Sequence, residues 1–152
     1  QTLTRGVYVA MNGRVFTYDK VIKNKETGIF EEIIMSNVKI YHNPRCSKSR
    51  QALQIIKDHG VEPKVIEYLK DPLDKGELED IAKKLGVRPK EFVRRNEAEF
   101  KDNNLAGKLE KDDDILEAML KFPKIMERPI IISDLGAVIG RPPENVLKVL
   151  EI

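Results

Sequence analysis

The chain holds one cysteine, and its surroundings are polar and basic: His42-Asn43-Pro44-Arg45-Cys46-Ser47-Lys48-Ser49-Arg50. A lone cysteine in a soluble chain is ordinarily a small, inert core residue with aliphatic neighbours. Here Val38 to Tyr41 is a short β-prone run, Asn43-Pro44 breaks it, and from Ser47 onward Ser49, Ala52, Leu53 and Ile56 recur at helical spacing. The thiol is therefore expected in the first turn of a helix, where unpaired backbone N–H groups and the positive end of the helix dipole favour thiolate over thiol. Arg45, Lys48 and Arg50 add positive charge. The chemistry to expect is that of a nucleophilic thiolate. With no second cysteine an internal disulfide is excluded, so any thiol redox cycle must borrow its second thiol from another molecule.

The elements that position this thiol are legible in order. Gly60 can end the Cys46 helix, and Lys64-Val65-Ile66-Glu67-Tyr68-Leu69 reads as a second strand closed by Asp71-Pro72. A strand, helix and strand in this order make a βαβ unit with parallel strands. Asp74 with Glu77 makes a capping-box-like helix start, the stripe is Leu78, Ile81, Ala82 and Leu85, and Gly86 ends it. Pro89 opens a short helix through Phe92-Val93 toward Arg94-Arg95. A loop around Asn103-Asn104 leads to Asp112-Asp113-Asp114, an acidic helix start whose stripe is Ile115, Leu116, Met119 and Leu120, stopped by Phe122-Pro123. Ile130-Ile131-Ile132 reads as a strand buried on both faces, with Ala137-Val138-Ile139 as its hairpin partner, and a last helix starts at Pro142-Pro143. The order describes an α/β domain with a mixed sheet covered by helices, thioredoxin-like with a helical insertion before its third strand.

Residues 1–34 read differently. Val7 to Met11 and Arg14 to Tyr18 flank Asn12-Gly13, a hairpin signal whose two-residue loop would place Val9 opposite Phe16 and Val7 opposite Tyr18. With Ile29 to Ile34 this makes a three-stranded meander, too small to bury a core of its own. Gln1 is no initiator, while Met35-Ser36-Asn37 reads as the natural beginning of a cytoplasmic protein. The expected division is therefore a β extension at 1–34, either genuine or left by cloning, a fusion or upstream translation, followed by the main domain at 35–152.

Composition bounds the partners. The 152 residues carry 27 Lys and Arg against 25 Asp and Glu, and a net charge of +2 gives no general pull toward nucleic acid or membrane. Any anion site must be local. The single cysteine, with no signal peptide or long apolar run, points to a reducing cytoplasm. Cys46, His42 and His59 lack ligand spacing, so no metal is expected.

Three motifs, His42 to Arg50, Glu127-Arg128-Pro129-Ile130 and Ile139-Gly140-Arg141-Pro142-Pro143, with Asn104-Leu105-Ala106 between them, closely resemble the glutaredoxin-dependent arsenate reductases of thioredoxin-like fold. The match covers about 36 to 152. The resemblance implies that Cys46 attacks arsenate, that Arg94, Arg128 and Arg141 hold the oxyanion and its later adducts, and that His42 and Ser49 lie beside the thiolate. Arg95 is the alternative to Arg94, because the doublet's register rests only on Phe92-Val93 before it. The resemblance also implies a cis Arg128–Pro129 bond facing Cys46, no bound cofactor, and glutathione and glutaredoxin as the external reductant.

Physical chemistry is consistent with these roles. A thiolate attacking a tetrahedral oxyanion must overcome charge repulsion, and planar guanidinium forks offset it. They specify an oxyanion and not arsenic, so a thiol reductase of another substrate is a second reading. Spx-type transcription regulators, which share the fold and bind RNA polymerase, are a third. Their redox switch commonly uses Cys-x-x-Cys, and here that pair is Cys46 and Ser49. Phosphatase-like arsenate reductases are disfavoured, because they use Cys-x5-Arg and Arg50 comes four positions after Cys46.

Overall fold

The computed structural model describes residues 37–150 in full and the backbone of 6–9, 15–23 and 30–35. The main sheet has four strands, in the order Lys64–Ile66 (β5), Lys39–Tyr41 (β4), Ile130–Ser133 (β6) and Gly136–Ile139 (β7). β4 pairs parallel with β5 and antiparallel with β6, which pairs antiparallel with β7. This is the mixed sheet expected from the sequence.

Both faces of the sheet are covered, and the pleat sorts the isoleucines between them. Ile40 and Ile131 pack with Ala52 and Ile56 of α1 (Ser47–Asp58), and with Val146, Val149 and Leu150 at the end of the chain. Tyr41, Ile130 and Ile132 face the other way, onto Leu78 and Ile81 of α2 (Lys75–Leu85) and Ile115, Leu116 and Met119 of α4 (Asp112–Lys121). α3 (Ala98–Asp102) and a 3-10 segment, Leu105–Lys108, lie in the insertion between α2 and α4. The caps follow the sequence: Asp74 accepts the Glu77 N–H at 2.8 Å, and Gly60 and Gly86 take the left-handed backbone that ends α1 and α2.

Three expectations are corrected. β5 stops at Ile66, because the carbonyl of Glu67 accepts the N–H groups of Lys70 and Asp71 and turns the chain away from the sheet, so Tyr68 lies beyond the strand. The last helix is a 3-10 segment, Pro143–Val149. Cys46 is the N-cap of α1 and not a residue of its first turn. Between α3 and the following 3-10 segment the chain turns through Asn103-Asn104, where the loop was expected, with Asn104 in the left-handed region.

The N-terminal strands β1 (Gly6–Val9), β2 (Val15–Lys23) and β3 (Phe30–Met35) form an antiparallel sheet in that order. Val7 lies opposite Thr17 and Val9 opposite Val15, one residue away from the register expected. A two-residue loop needs an even number of residues between paired positions, whereas positions 9 and 15 enclose an odd number. Asn12-Gly13 itself lies outside the described residues.

Candidate active site

Cys46 sits where β4 becomes α1, and a chain of short bonds fixes the loop beneath it. Asn43 is the hub: its carbonyl accepts the Cys46 N–H at 3.0 Å and its side-chain Oδ1 accepts the Arg45 N–H at 3.0 Å. Its own N–H donates to Ser49 Oγ at 3.1 Å, and the same Oγ lies 2.6 Å from His42 Nδ1. His42, Asn43 and Ser49 are all buried. Burial pushes the His42 pKa down; Glu67 opposes this, while Arg50 and Lys57 add to it, so the ring is neutral at physiological pH. His42 and Ser49 thus form a neutral support behind the thiol loop, and the His42 N–H ties that loop to the end of β5 through the Ile66 carbonyl at 2.8 Å.

The three expected arginines come from separate segments; Arg128 and Arg141 meet Cys46, and Arg94 joins them through Glu97 and Glu127. Arg141, just past β7, places Nη2 at 3.4 Å from Sγ. Its Nε donates to the main-chain oxygen of Arg128 at 2.9 Å and lies 3.0 Å from Glu127 Oε1. Arg128, just before β6, directs Nη1 to the Lys124 carbonyl at 2.9 Å and lies 3.5 Å from Glu97 Oε1. Arg94 completes the group by donating to Glu97 at 3.0 Å and to Glu127 at 3.2 Å. Arg95 is exposed and stands outside this cluster. Glu97, absent from the expected site, and Glu127, expected only as part of its motif, hold the guanidiniums together: Glu127 Oε1 alone meets Arg94, Arg141 and the Arg128 N–H.

Two cis peptide bonds, Arg128–Pro129 and Arg141–Pro142, flank the thiol, the second unexpected from sequence. Gly140 allows their approach. Its N–H donates to the Pro129 carbonyl at 2.8 Å, and a Cβ at this position would come within 2.7 Å of the Pro129 ring and 3.1 Å of Ile131.

The electrostatics favour the thiolate. Burial raises the Cys46 pKa, but the Ser49 N–H, the Arg128 guanidinium, the charge of Arg141 and the Lys48 N–H together outweigh it and bring the thiol below its ordinary value. The amides act from the N-terminal end of α1 without a regular side-chain capping bond. Three guanidiniums against two carboxylates leave one net positive charge, which favours an anion at Cys46. An arriving anion must therefore share the guanidiniums with Glu97 and Glu127.

Two further features border the site. Tyr68 is buried and its hydroxyl has no hydrogen-bond partner, as is also true of Arg128 Nε. A groove of about 440 Å3 begins at the Cys46 loop, lined by Pro44, Arg45, Leu69, Lys70, Phe122 and Lys124 among others. Among the described residues no helix is long and apolar enough to cross a membrane.

Comparison with known proteins follows the same outline. The model of the ArsC family matches residues 41–149, which span every residue of the cluster. Uncharacterized protein YfgD of Escherichia coli K12 is 47% identical over 114 residues, 74% of this chain and 96% of that protein. An Escherichia coli protein named arsenate reductase is 38% identical over 116 residues, 76% of this chain and 82% of its own length. Among solved structures, an arsenate reductase from Vibrio cholerae superposes with a TM-score of 0.73 at 40% identity, covering 76% of this chain and 98% of that one. The family that the three motifs resembled is the one found, and its sheet and helices are those described above. The chain belongs to the ArsC family of arsenate reductases and carries its thioredoxin-like fold.

Proposed function

We propose that the protein reduces arsenate to arsenite, with Cys46 as nucleophile, Arg94, Arg128 and Arg141 as oxyanion ligands, and glutathione and glutaredoxin as the external reductant. The observation that carries this reading is the contact of Arg141 with Sγ at 3.4 Å, inside a cluster that ties Arg94 and Arg128 to the same two carboxylates. A guanidinium that stabilises the resting thiolate is already placed for the negative charge that arrives with the substrate.

The cycle balances as follows. The Cys46 thiolate attacks arsenic, and an arsenate oxygen leaves as water after taking a proton. Glutathione condenses with an As–OH of the adduct, losing its thiol proton and releasing a second water. A glutaredoxin thiolate then attacks the glutathione sulfur. The As–S bond to glutathione breaks and its electron pair stays on arsenic, which passes from the pentavalent to the trivalent state, while the two thiols leave as a mixed disulfide. Water hydrolyses the remaining Cys46–As bond and arsenite departs. The absence of a second cysteine in the chain supports an external reductant, and such a cycle belongs in a reducing cytoplasm. The groove at Pro44 and Arg45, lined by Leu69 and Phe122 and by Lys70, Lys121 and Lys124 against Glu67 and Glu99, keeps an excess of positive charge that suits the approach of an anionic tripeptide thiol.

The test is a coupled assay with arsenate, glutathione, glutaredoxin, glutathione reductase and NADPH, in which a second glutathione resolves the mixed disulfide and the reductase returns the oxidised glutathione to thiol at the expense of NADPH. The wild-type chain is expected to consume NADPH in an arsenate-dependent way and Cys46→Ser is expected to be inactive. Equal turnover by Cys46→Ser would end the mechanism. No arsenate turnover, with stoichiometric recovery of RNA polymerase in a pull-down, would favour the regulator reading instead.

A further inference from the structure

Tyr68 lies at the carboxyl end of the parallel pair β4 and β5, two residues past Ile66, on the edge of the sheet from which the Cys46 loop emerges. Strand ends of this kind are where open α/β sheets bind ligands. The ring is packed among Leu73, Leu78, Met119 and Met126 and is 1% exposed. The charged groups that its hydroxyl senses are Arg128, Cys46, Arg94 and Glu127, the members of the anion cluster. Yet the hydroxyl has no partner.

A buried phenol without a hydrogen bond is costly, and proteins avoid it. This chain does so elsewhere: Tyr41, equally buried in the same sheet, donates to Glu77 at 2.9 Å. The second orphaned side-chain atom is Arg128 Nε, which belongs to the same site. Two buried donors without partners, both electrostatically coupled to Cys46, suit an acceptor with several oxygens. We propose that the hydroxyl of Tyr68 is a further oxyanion ligand, donating a hydrogen bond from the core side to arsenate and to its Cys46 adduct. Burial, with Cys46 and Glu127 acting in the same direction against the arginines, pushes its pKa up to about 12, so the group remains a donor across the working range. A neutral donor of this kind adds a bond without further raising the positive charge that Glu97 and Glu127 hold in check.

This inference rests on the oxyanion reading of the site, and one experiment separates the two. Alkylation of Cys46 by iodoacetamide is followed in the full chain at rising arsenate without glutathione, for wild type and Tyr68→Phe. Arsenate is expected to protect the wild type, and the variant to need roughly tenfold more for half protection. Without arsenate, the melting temperature of Tyr68→Phe is expected to equal or exceed that of wild type, since only an unsatisfied hydroxyl is lost. A fluorinated tyrosine installed at position 68, a stronger donor of nearly the same shape, is expected to lower the arsenate needed. Equal protection of wild type and Tyr68→Phe would overturn the role of Tyr68 alone. A wild type that arsenate does not protect would overturn the oxyanion reading, and this inference with it.

Discussion

Nη2 of Arg141 lies 3.4 Å from Sγ of Cys46, so a guanidinium from the end of the last strand holds the thiol at the start of the first main-domain helix. Removing it in Arg141→Ala takes away one of the influences that lower the thiol's pKa, and the midpoint of Cys46 alkylation against pH is expected to rise. The linkage has a definite sign. The folded-state pKa lies below that of the unfolded chain, so Cys46 ionisation contributes stability that is complete above the unfolded thiol's pKa and is lost as pH falls through the folded value. The difference in melting temperature between wild type and Cys46→Ser should therefore grow with pH across that window. A difference independent of pH would contradict it.

Arg94 and Arg95 are neighbours with different surroundings. Arg94 is bonded to Glu97 and Glu127 inside the cluster, and Arg95 is exposed outside it. Arg94→Ala is expected to lower kcat/KM for arsenate by about 10- to 100-fold, the equivalent of one charge-assisted bond. Arg95→Ala should leave it unchanged within twofold, by the rule that exposed cations contribute little. Steady-state kinetics at fixed ionic strength decide between them.

In the proposed reaction Glu127 competes with arsenate for the guanidiniums of Arg94 and Arg141, which it contacts. Glu127→Gln keeps an oxygen facing Arg94 and Arg141 but removes its charge. Calorimetric titration with arsenate is expected to show tighter binding by a few-fold, about 1 kcal/mol. Glu127→Ala, which removes the acceptor altogether, should instead lose turnover. Weaker binding in Glu127→Gln would mean that positioning outweighs charge.

Ser49 joins His42 to Asn43 through one buried oxygen. Ser49→Ala leaves the Asn43 N–H and His42 Nδ1 without it, at an expected cost of about 1–3 kcal/mol in chemical denaturation. Activity should fall less than stability, because Cys46 keeps its arginines. A variant as stable as wild type would show that the bonds are replaced by water.

Much of this could be read from the sequence because the signals were local. Cys46 announced itself by the absence of aliphatic neighbours, Asp74 by its spacing to Glu77, and the β6 strand by three consecutive isoleucines. What could not be read depends on contacts between distant segments. Glu97 and Glu127 are acidic residues in a chain full of them, and only convergence shows that they clamp Arg94, Arg128 and Arg141. Tyr68 read as a core strand residue because Lys64 to Leu69 has one continuous β-prone pattern, and the Glu67 turn that ends the strand leaves no mark in it. The β1–β2 register failed for a related reason: Asn12-Gly13 signals a turn but does not by itself set the length of the loop around it.

The cluster draws its parts from the beginning, the middle and the end of the domain, and Gly140 is what lets the end reach the beginning. A tetrahedral anion seated there would act as a removable staple across the whole domain. By mass action such a staple favours the folded chain by about 1.4 kcal/mol for each tenfold rise in anion concentration above its dissociation constant. On the proposed function that anion is arsenate, so the chain is expected to unfold and to be proteolysed more slowly as arsenate rises.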